Sequence, residues 1–309
     1  MQDACGRTIQ YLRLSVTDRC CYRCAYCMAP DAEPKRAPLP LDELFELAAA
    51  AVRCGVKKIR LTGGEPLLRE GIAELCARLR RLDGLEELAL TTNGARLPAL
   101  AAPLRAAGVD RLNISLDSLR PERFRAITRR GELADALAGI EAAKAAGFRG
   151  LKINTVLLGG VNDDEIPALA ELTREEDVQV RFIELMPAGV CRDFPPERFL
   201  SAGAVLDALP DLEPLGGDGV AELYRLPGCR GAVGLIRPMS RRFCAACGRV
   251  RITADGHLKP CLHSELELPL RGLRGAALDA AIREAVLRKP ARHRLNAGGS
   301  ASEMYEIGG

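Results

Sequence analysis

Six short segments, beginning near Tyr11, Lys57, Leu85, Asp110, Gly150 and Val178, alternate polar and apolar residues with a period of two. That period marks a strand, whose successive side chains point to opposite faces. All but the last segment are followed by Ala/Leu/Glu/Arg stretches of helical character, such as Leu41 to Val52 and Ala134 to Ala146. Gly55, Gly84, Gly108 and Gly147 each stand just before a strand, where a helix must end and an αβ turn begin. Strands alternating with helices predict a parallel sheet, and right-handed crossovers curl it toward a barrel. One side of the strands is repeatedly polar: Arg13 and Ser15; Arg60 and Thr62; Thr91 and Asn93; Asn113, Ser115 and Asp117; Lys152 and Asn154. A closed barrel fills its interior with branched apolar side chains, so a polar interior predicts an open barrel with a binding cavity.

Composition narrows the picture. With 309 residues and 48% hydrophobic content, the chain is long enough for one or two domains. A net charge of +3 amid 28% charged residues, no tryptophan and 4% aromatics argue against nucleic-acid binding. No apolar run approaches the eighteen residues of a membrane span, and the N-terminus carries no leader pattern, so a soluble cytoplasmic protein is expected. Twelve cysteines without a leader suggest thiols serving metals rather than disulfides.

Six of those cysteines form two clusters, Cys20, Cys24 and Cys27 as C-x3-C-x2-C and Cys244, Cys247 and Cys261 as C-x2-C-x13-C. Each lacks the fourth ligand of a closed site, and a cubane held by three thiolates leaves one iron open to a small molecule. Zinc is the alternative at either cluster: the first lacks a nearby fourth ligand, whereas His263 would complete a Cys3His set at the second. Cys21 and Cys229 stand close enough to a cluster to replace or supplement a ligand. After the second strand, Gly63-Gly64-Glu65-Pro66 reads as a turn whose missing side chains let backbone approach a ligand. Arg13, Arg60, Lys152 and Arg181 form an inward cationic set suited to phosphate oxygens, unless they serve to neutralise Asp117 or Glu65. Asp255-Gly256 signals a two-residue hairpin turn, which would set Cys261 opposite Val250 and close to Cys244 and Cys247. Arg249 and Arg251 then share one face beside the second cluster.

The first cluster, with Tyr26 between its last two cysteines, and the Gly-Gly-Glu-Pro turn resemble those of radical S-adenosylmethionine (SAM) enzymes. Adding Arg13 to Cys20, Leu61 to Leu67, Thr91 to Gly94, Asn113 to Asp117, Arg181 to Glu184, the second cluster and the terminal Gly308-Gly309, nearly the whole chain resembles the GTP 3′,8-cyclase family of molybdenum cofactor biosynthesis. The resemblance implies a partial (βα)6 radical SAM barrel over 1–187. It also implies an auxiliary-cluster domain over 188–309, covering the barrel's open side and ending in a Gly-Gly tail threaded into the active site. It implies two [4Fe–4S] clusters on the six cysteines, SAM contacts from Tyr26, Gly64, Ser115 and Met186, and GTP contacts from Arg13, Arg60, Thr91, Lys152, Arg249, Val250 and Arg251. Arg249, Arg251, Gly308 and Gly309 are the implied helpers at cyclisation, in which C3′ of GTP, stripped of its hydrogen, attacks guanine C8. The implied partners are a flavodoxin- or ferredoxin-type reductant protein and a downstream cyclic pyranopterin monophosphate synthase, with neither nucleic acid nor membrane; a homodimer stays open. Cys21, where the family more often has a polar residue, and a short segment from Asp31 to Pro40 depart from the pattern. A peptide-modifying radical SAM enzyme is the alternative, and it would carry more C-terminal cysteines and a peptide-binding module.

Overall fold

The computed structural model describes residues 1–293 and 303–308. The six alternating segments are strands: β1 (Tyr11–Ser15), β2 (Lys58–Thr62), β3 (Glu87–Thr92), β4 (Arg111–Ser115), β5 (Leu151–Leu157) and β6 (Val178–Glu184). They pair in chain order, every pair parallel. Between them run α1 (Leu41–Arg53), α2 (Ile72–Arg80), α3 (Leu97–Ala106), α4 (Pro121–Thr128), α5 (Leu133–Ala145) and α6 (Ile166–Glu171). Leu12, Leu14, Ile59, Leu61, Leu88, Leu90, Leu112, Ile114, Val180 and Phe182 are at most 1% exposed and belong to the main core, as do Leu44, Leu47 and Ala48 of α1. The apolar half of each strand's alternation is thus spent against helices, and the polar half is left to line the inside. Among the described residues, no helix is long and apolar enough to cross a membrane.

The later part of the chain does not stand apart from this sheet. β7 (Glu213–Gly217), β8 (Glu222–Arg225), β9 (Ala232–Ile236), β10 (Arg249–Ile252), β11 (His257–Lys259) and β12 (Leu268–Pro269) extend it at both edges, in the order β12-β11-β10-β1 through β6-β9-β8-β7. β9 lies parallel beside β6 and β10 parallel beside β1, and each is backed by antiparallel strands. α7 (Gly203–Ala208) follows β6, and α8 (Gly275–Leu287) buries Leu278, Ile282, Ala285 and Val286 beside α1.

One local expectation is corrected, and one close approach is given its partner. The β10–β11 hairpin pairs Arg251 with Lys259 and Ile252 with Leu258, and Thr253 N–H donates to His257 O at 2.9 Å. The loop is therefore three residues, Ala254-Asp255-Gly256, with Gly256 at φ 87°. Continuing the register sets Cys261 opposite Arg249 rather than Val250, because an Asp-Gly pair serves a three-residue loop ending in a left-handed glycine as well as a two-residue one.

At Gly63-Gly64 the close approach is made by the chain's own backbone. A Cβ on Gly63 would stand 2.1 Å from Thr17 O, and one on Gly64 would stand 2.3 Å from Arg19 O. The missing side chains make room for the chain's own backbone, since Gly64 N–H donates to Thr17 O at 2.8 Å and Glu65 N–H to Arg19 O at 2.7 Å. These bonds tie the entry of the first cysteine loop to the end of β2. Gly63 also sits at φ 146°, so Gly63→Ala adds both a backbone clash and strain. A loss of about 3 kcal/mol is expected on denaturant titration of the iron-loaded protein; an unchanged midpoint would show that the cradle yields freely.

Candidate active site

Strand register assembles the inner wall. Arg251 pairs with Arg13 and Arg13 with Arg60; Ser15 pairs with Thr62; Thr91 pairs with Asn113, Asn113 with Lys152 and Lys152 with Gln179; Ser115 pairs with Asn154 and Asn154 with Arg181. Residues in register share a face, so these form cross-strand rows along one lumen. Several of their buried polar atoms have no hydrogen-bond partner: Arg60 Nε, Thr62 Oγ1, Thr91 Oγ1, Asn113 Oδ1 and Asn154 Oδ1. A convergent group of orphaned donors and acceptors on one buried face is shaped for a polar ligand. Val250 differs, because its register with Leu12 puts its side chain in the apolar layer and leaves only its backbone for a ligand.

The wall is strongly cationic. Burial, reinforced by neighbouring guanidinium groups, lowers the Arg13 and Arg60 pKa values and brings Arg251 down to about 10. Lys152 and Arg181 pair with neither Asp117 nor Glu65. Both meet Asp218 Oδ2 instead, Lys152 Nζ at 3.0 Å, across from the turn between β7 and β8. Asp218 was not legible as a site residue; the Gly216-Gly217-Asp218-Gly219 turn was the one available signal. Burial, then Arg181 and Arg111, bring Lys152 down to about 8 while Asp218 opposes the shift. Anion affinity is therefore expected to fall more steeply above about pH 8 in the unaltered protein than in Lys152→Arg, which keeps its charge. Calorimetric titration with tripolyphosphate across that range checks this, and identical slopes would exclude Lys152 as the titrating group.

The first cysteine loop lies at the C-terminal ends of the strands. Cys27 N–H and Met28 N–H both donate to Cys24 O, coiling the loop at 2.9 and 3.2 Å. Arginines clamp its backbone: Arg23 donates to Cys20 O at 2.6 Å, and Arg129 donates to Met28 O at 3.0 Å. Burial, then the charges of Asp117 and Cys27, raises the Cys24 pKa, and burial, then Cys191, pushes Cys27 up to about 12. Such thiols ionise when a positive metal centre compensates. Tyr26 donates its hydroxyl to Asp117 Oδ2 at 2.7 Å, and burial takes the Asp117 carboxyl up to about 6. Ser115 and the half-buried Met186, just beyond β6, stand at the same strand ends. Glu65 accepts from Leu67 N–H, the Thr92 hydroxyl and Asn93 N–H, which makes it an anchor for the β2 and β3 ends.

The second loop lies at the other end. Cys244 and Cys247 precede β10 in a tight turn, and Cys261 follows β11, so all three sit at the N-terminal end of the parallel strands. One strand length, roughly 15 Å, separates the loops. Arg7 donates to Cys244 O at 2.9 Å, and Lys289 Nζ to Arg249 O and Pro260 O, each at 2.7 Å. Burial works to raise the Cys247 pKa, but Arg249 and Lys289 outweigh it and bring the thiol down to about 7. Arg249 itself stacks over Phe243, 4.9 Å from the ring centroid. His263 faces the His293 ring at 5.2 Å and is driven down to about 3, chiefly by burial, so it stays neutral. Among the described residues, no three His, Cys, Asp or Glu side chains converge on a single metal ion. A cubane takes each thiolate at its own iron, so its ligands surround a cluster-sized gap.

The tail enters between the two loops. Glu303 and Glu306 form a capping box at the short turn Met304–Ile307, Lys35 pairs with Glu306 at 2.7 Å, and Tyr305 donates to Glu33 O at 3.2 Å. Gly308 O then accepts from Arg251 at 2.6 Å and from Arg13 Nε at 3.2 Å. Gly309 lies outside the described residues. The 31–40 segment is fixed through Arg36, which binds Asp255 and Glu267 and donates its backbone N–H to Asp18 at 2.7 Å.

Residues 14–173 match the Radical SAM superfamily and residues 178–295 match Molybdenum Cofactor Synthesis C. The first match covers more than half of the chain, which is therefore an enzyme of the radical SAM superfamily, a class built around a [4Fe–4S] cluster and SAM. The chain is 47% identical to the GTP 3′,8-cyclase of Peptoclostridium acidaminophilum, over 99% of this chain and 98% of that protein. It is 48% identical to that of Pseudomonas entomophila, over 96% and 93%, and 46% identical to that of Pelotomaculum thermopropionicum, over the whole of both. Within the superfamily, it belongs to the GTP 3′,8-cyclase family. Streptococcus suis SuiB bound to its precursor peptide superposes with a TM-score of 0.66 at 12% identity, over 96% of this chain and 76% of that one. Methylornithine synthase (PylB) superposes at 0.54 with 15% identity, over 94% and 85%. These two likenesses concern the fold alone.

Proposed function

We propose that the chain joins C3′ of the GTP ribose to C8 of its guanine, the first step of molybdenum cofactor synthesis, using SAM and two [4Fe–4S] clusters. The observation that carries this reading is the cationic row Arg251, Arg13 and Arg60, strung along one lumen between two three-cysteine loops at opposite strand ends. A cluster on Cys20, Cys24 and Cys27 would supply, from SAM, the 5′-deoxyadenosyl radical that removes the 3′ hydrogen. Tyr26, Gly64, Ser115 and Met186 are the proposed SAM contacts, with Tyr26 held by Asp117. Arg13, Arg60, Thr91 and Lys152 would grip the nucleotide, with the triphosphate on the cations. Arg249, the Val250 backbone and Arg251 would meet the base beside a second cluster on Cys244, Cys247 and Cys261. Gripping both ends of the substrate fixes C3′ against C8, which is the chain's main contribution to rate. Gly308 and Gly309, with Arg249 and Arg251, would serve the cyclisation.

The same reading assigns 1–187 to the SAM-binding unit and 188–309 to the second-cluster unit. It places the enzyme in the cytoplasm with a flavodoxin- or ferredoxin-type reductant and a pyranopterin-forming synthase downstream. Anaerobic reaction of the reconstituted protein with SAM, dithionite and GTP tests it by mass spectrometry. A compound isomeric with GTP, with deoxyadenosine formed only when GTP is present, is expected; deoxyadenosine beside unchanged GTP would overturn the cyclase reading.

A further inference from the structure

Asp218 sits where an anionic ligand would be expected. Its Oδ2 atom meets Lys152 Nζ at 3.0 Å and the Arg181 guanidinium, two side chains only 5% exposed. Its other oxygen accepts from Ala221 N–H at 3.0 Å and Val220 N–H at 3.4 Å within its own turn. One carboxylate oxygen thus offers two buried cations what a phosphate oxygen would offer them. The turn that carries it lies at the exposed end of an edge hairpin. Asp218 stands between Gly217, whose position packs against Ala221 O, and Gly219 at φ 84°; Gly219 and Gly216, at φ 105°, have open space around them, and β7 is exposed along its whole length. Lys152 and Arg181, in contrast, are fixed on central strands in register with Asn113 and Asn154.

We propose that Asp218 is an internal anion that holds Lys152 and Arg181 in the empty site and swings out on its glycine-flanked turn when a polyphosphate arrives. It is a specificity-determining residue, since a ligand must carry enough negative charge to displace it, and an uncharged nucleoside gains nothing from the exchange. This inference rests on the reading that the lumen receives a nucleoside triphosphate. A fixed structural clip, or a carboxylate that helps bind a metal carried by the phosphates, would behave in the opposite way.

The test compares the cluster-loaded protein with Asp218→Asn, titrating GTP, inorganic tripolyphosphate and guanosine by calorimetry. Asp218→Asn is expected to tighten GTP and tripolyphosphate by on the order of tenfold while leaving guanosine unchanged. In the unaltered protein, tripolyphosphate is expected to speed amide hydrogen exchange across 218–221. Unchanged or weaker polyphosphate binding by Asp218→Asn, or exchange that tripolyphosphate leaves unaltered, would overturn the proposal. If tripolyphosphate behaves as expected while GTP fails to bind, the GTP reading falls and Asp218 keeps its role. If GTP binds the unaltered protein and Asp218→Asn changes nothing, Asp218 loses its role and the GTP reading stands.

Discussion

Replacing Cys24 by alanine is expected to empty the first cysteine loop and abolish deoxyadenosine formation, while the second loop keeps its iron. Chemically determined iron should then drop from about eight to about four per chain. Cys24 is the most telling of the three positions because its neighbours have understudies. Cys21 lies beside Cys20, its sulfur held 3.2 Å from Asn93 Nδ2 on the β3 side. Cys191 lies beside Cys27 and donates its thiol to Tyr26 O at 3.0 Å. The Cys24 thiol is half-buried, and its protonated form is favoured by burial and by Asp117, so the metal centre itself must stabilise the thiolate. Arg23 and Arg129 grip the loop through backbone carbonyls and stay in place when Cys24 is changed. The folded loop should therefore survive the substitution, and circular dichroism of the variant serves as the control. Persistent deoxyadenosine formation, or iron unchanged from the parent protein, would break the assignment of this loop to the SAM-cleaving cluster.

Legibility in the sequence followed the range of each interaction. The six strands and their polar lining could be read because alternation is a property of neighbouring residues: the polar positions from Arg13 to Asn154 lie on those strands, except Asn93 and Asp117, which follow the ends of β3 and β4. The cysteine triplets could be read from spacing and their roles from the resemblance. What spacing could not carry was distance across the fold. The second loop reaches the far end of the lumen only because β10 pairs in parallel with β1, more than two hundred residues earlier. Asp218 arrives through an edge hairpin that meets β6 by way of β9, with no local pattern tying it to Lys152. The Gly63-Gly64 turn announced a close approach without saying what approaches, and that proved to be Thr17 and Arg19. The Asp255-Gly256 pair announced a hairpin without fixing its loop length, and one residue of slip moved Cys261 from Val250 to Arg249.

The two cysteine loops also share a design that no motif describes. Each is held through backbone carbonyls by cations, Arg23 and Arg129 at one end and Arg7 and Lys289 at the other. These cations spend their donors on peptide oxygens, and Arg7 also on the Asp3 carboxylate at 2.6 Å, rather than on the sulfurs. At the second loop positive charge favours the thiolate, since Arg249 and Lys289 outweigh burial at Cys247, whereas at the first loop burial prevails and keeps Cys24 and Cys27 raised.

Gly308→Val is expected to lower kcat/KM for the cyclised product by on the order of a hundredfold while iron content stays at the parent level. Two physical effects combine. The residue sits at φ 67°, a conformation that a β-branched side chain adopts only at a cost. Its new Cβ would also lie 2.3 Å from Thr62 Oγ1 and 3.5 Å from Ser15 Cβ, inside the polar wall. The tail must therefore back away, and the carbonyl that joins Arg13 to Arg251 goes with it. Those two guanidinium groups pair across β1 and β10 with lowered pKa values, so their mutual repulsion is eased by that shared acceptor. Once freed, they would turn toward other oxygens, and the substrate would lose the fixed grip that sets C3′ against C8. Gly308→Ala carries the same clash with less bulk and should fall between the parent and the valine variant. If both variants turn over like the parent, the tail is only a plug that leaves when substrate enters. If the loss follows side-chain size while both clusters persist, Gly308 works by positioning the arginines.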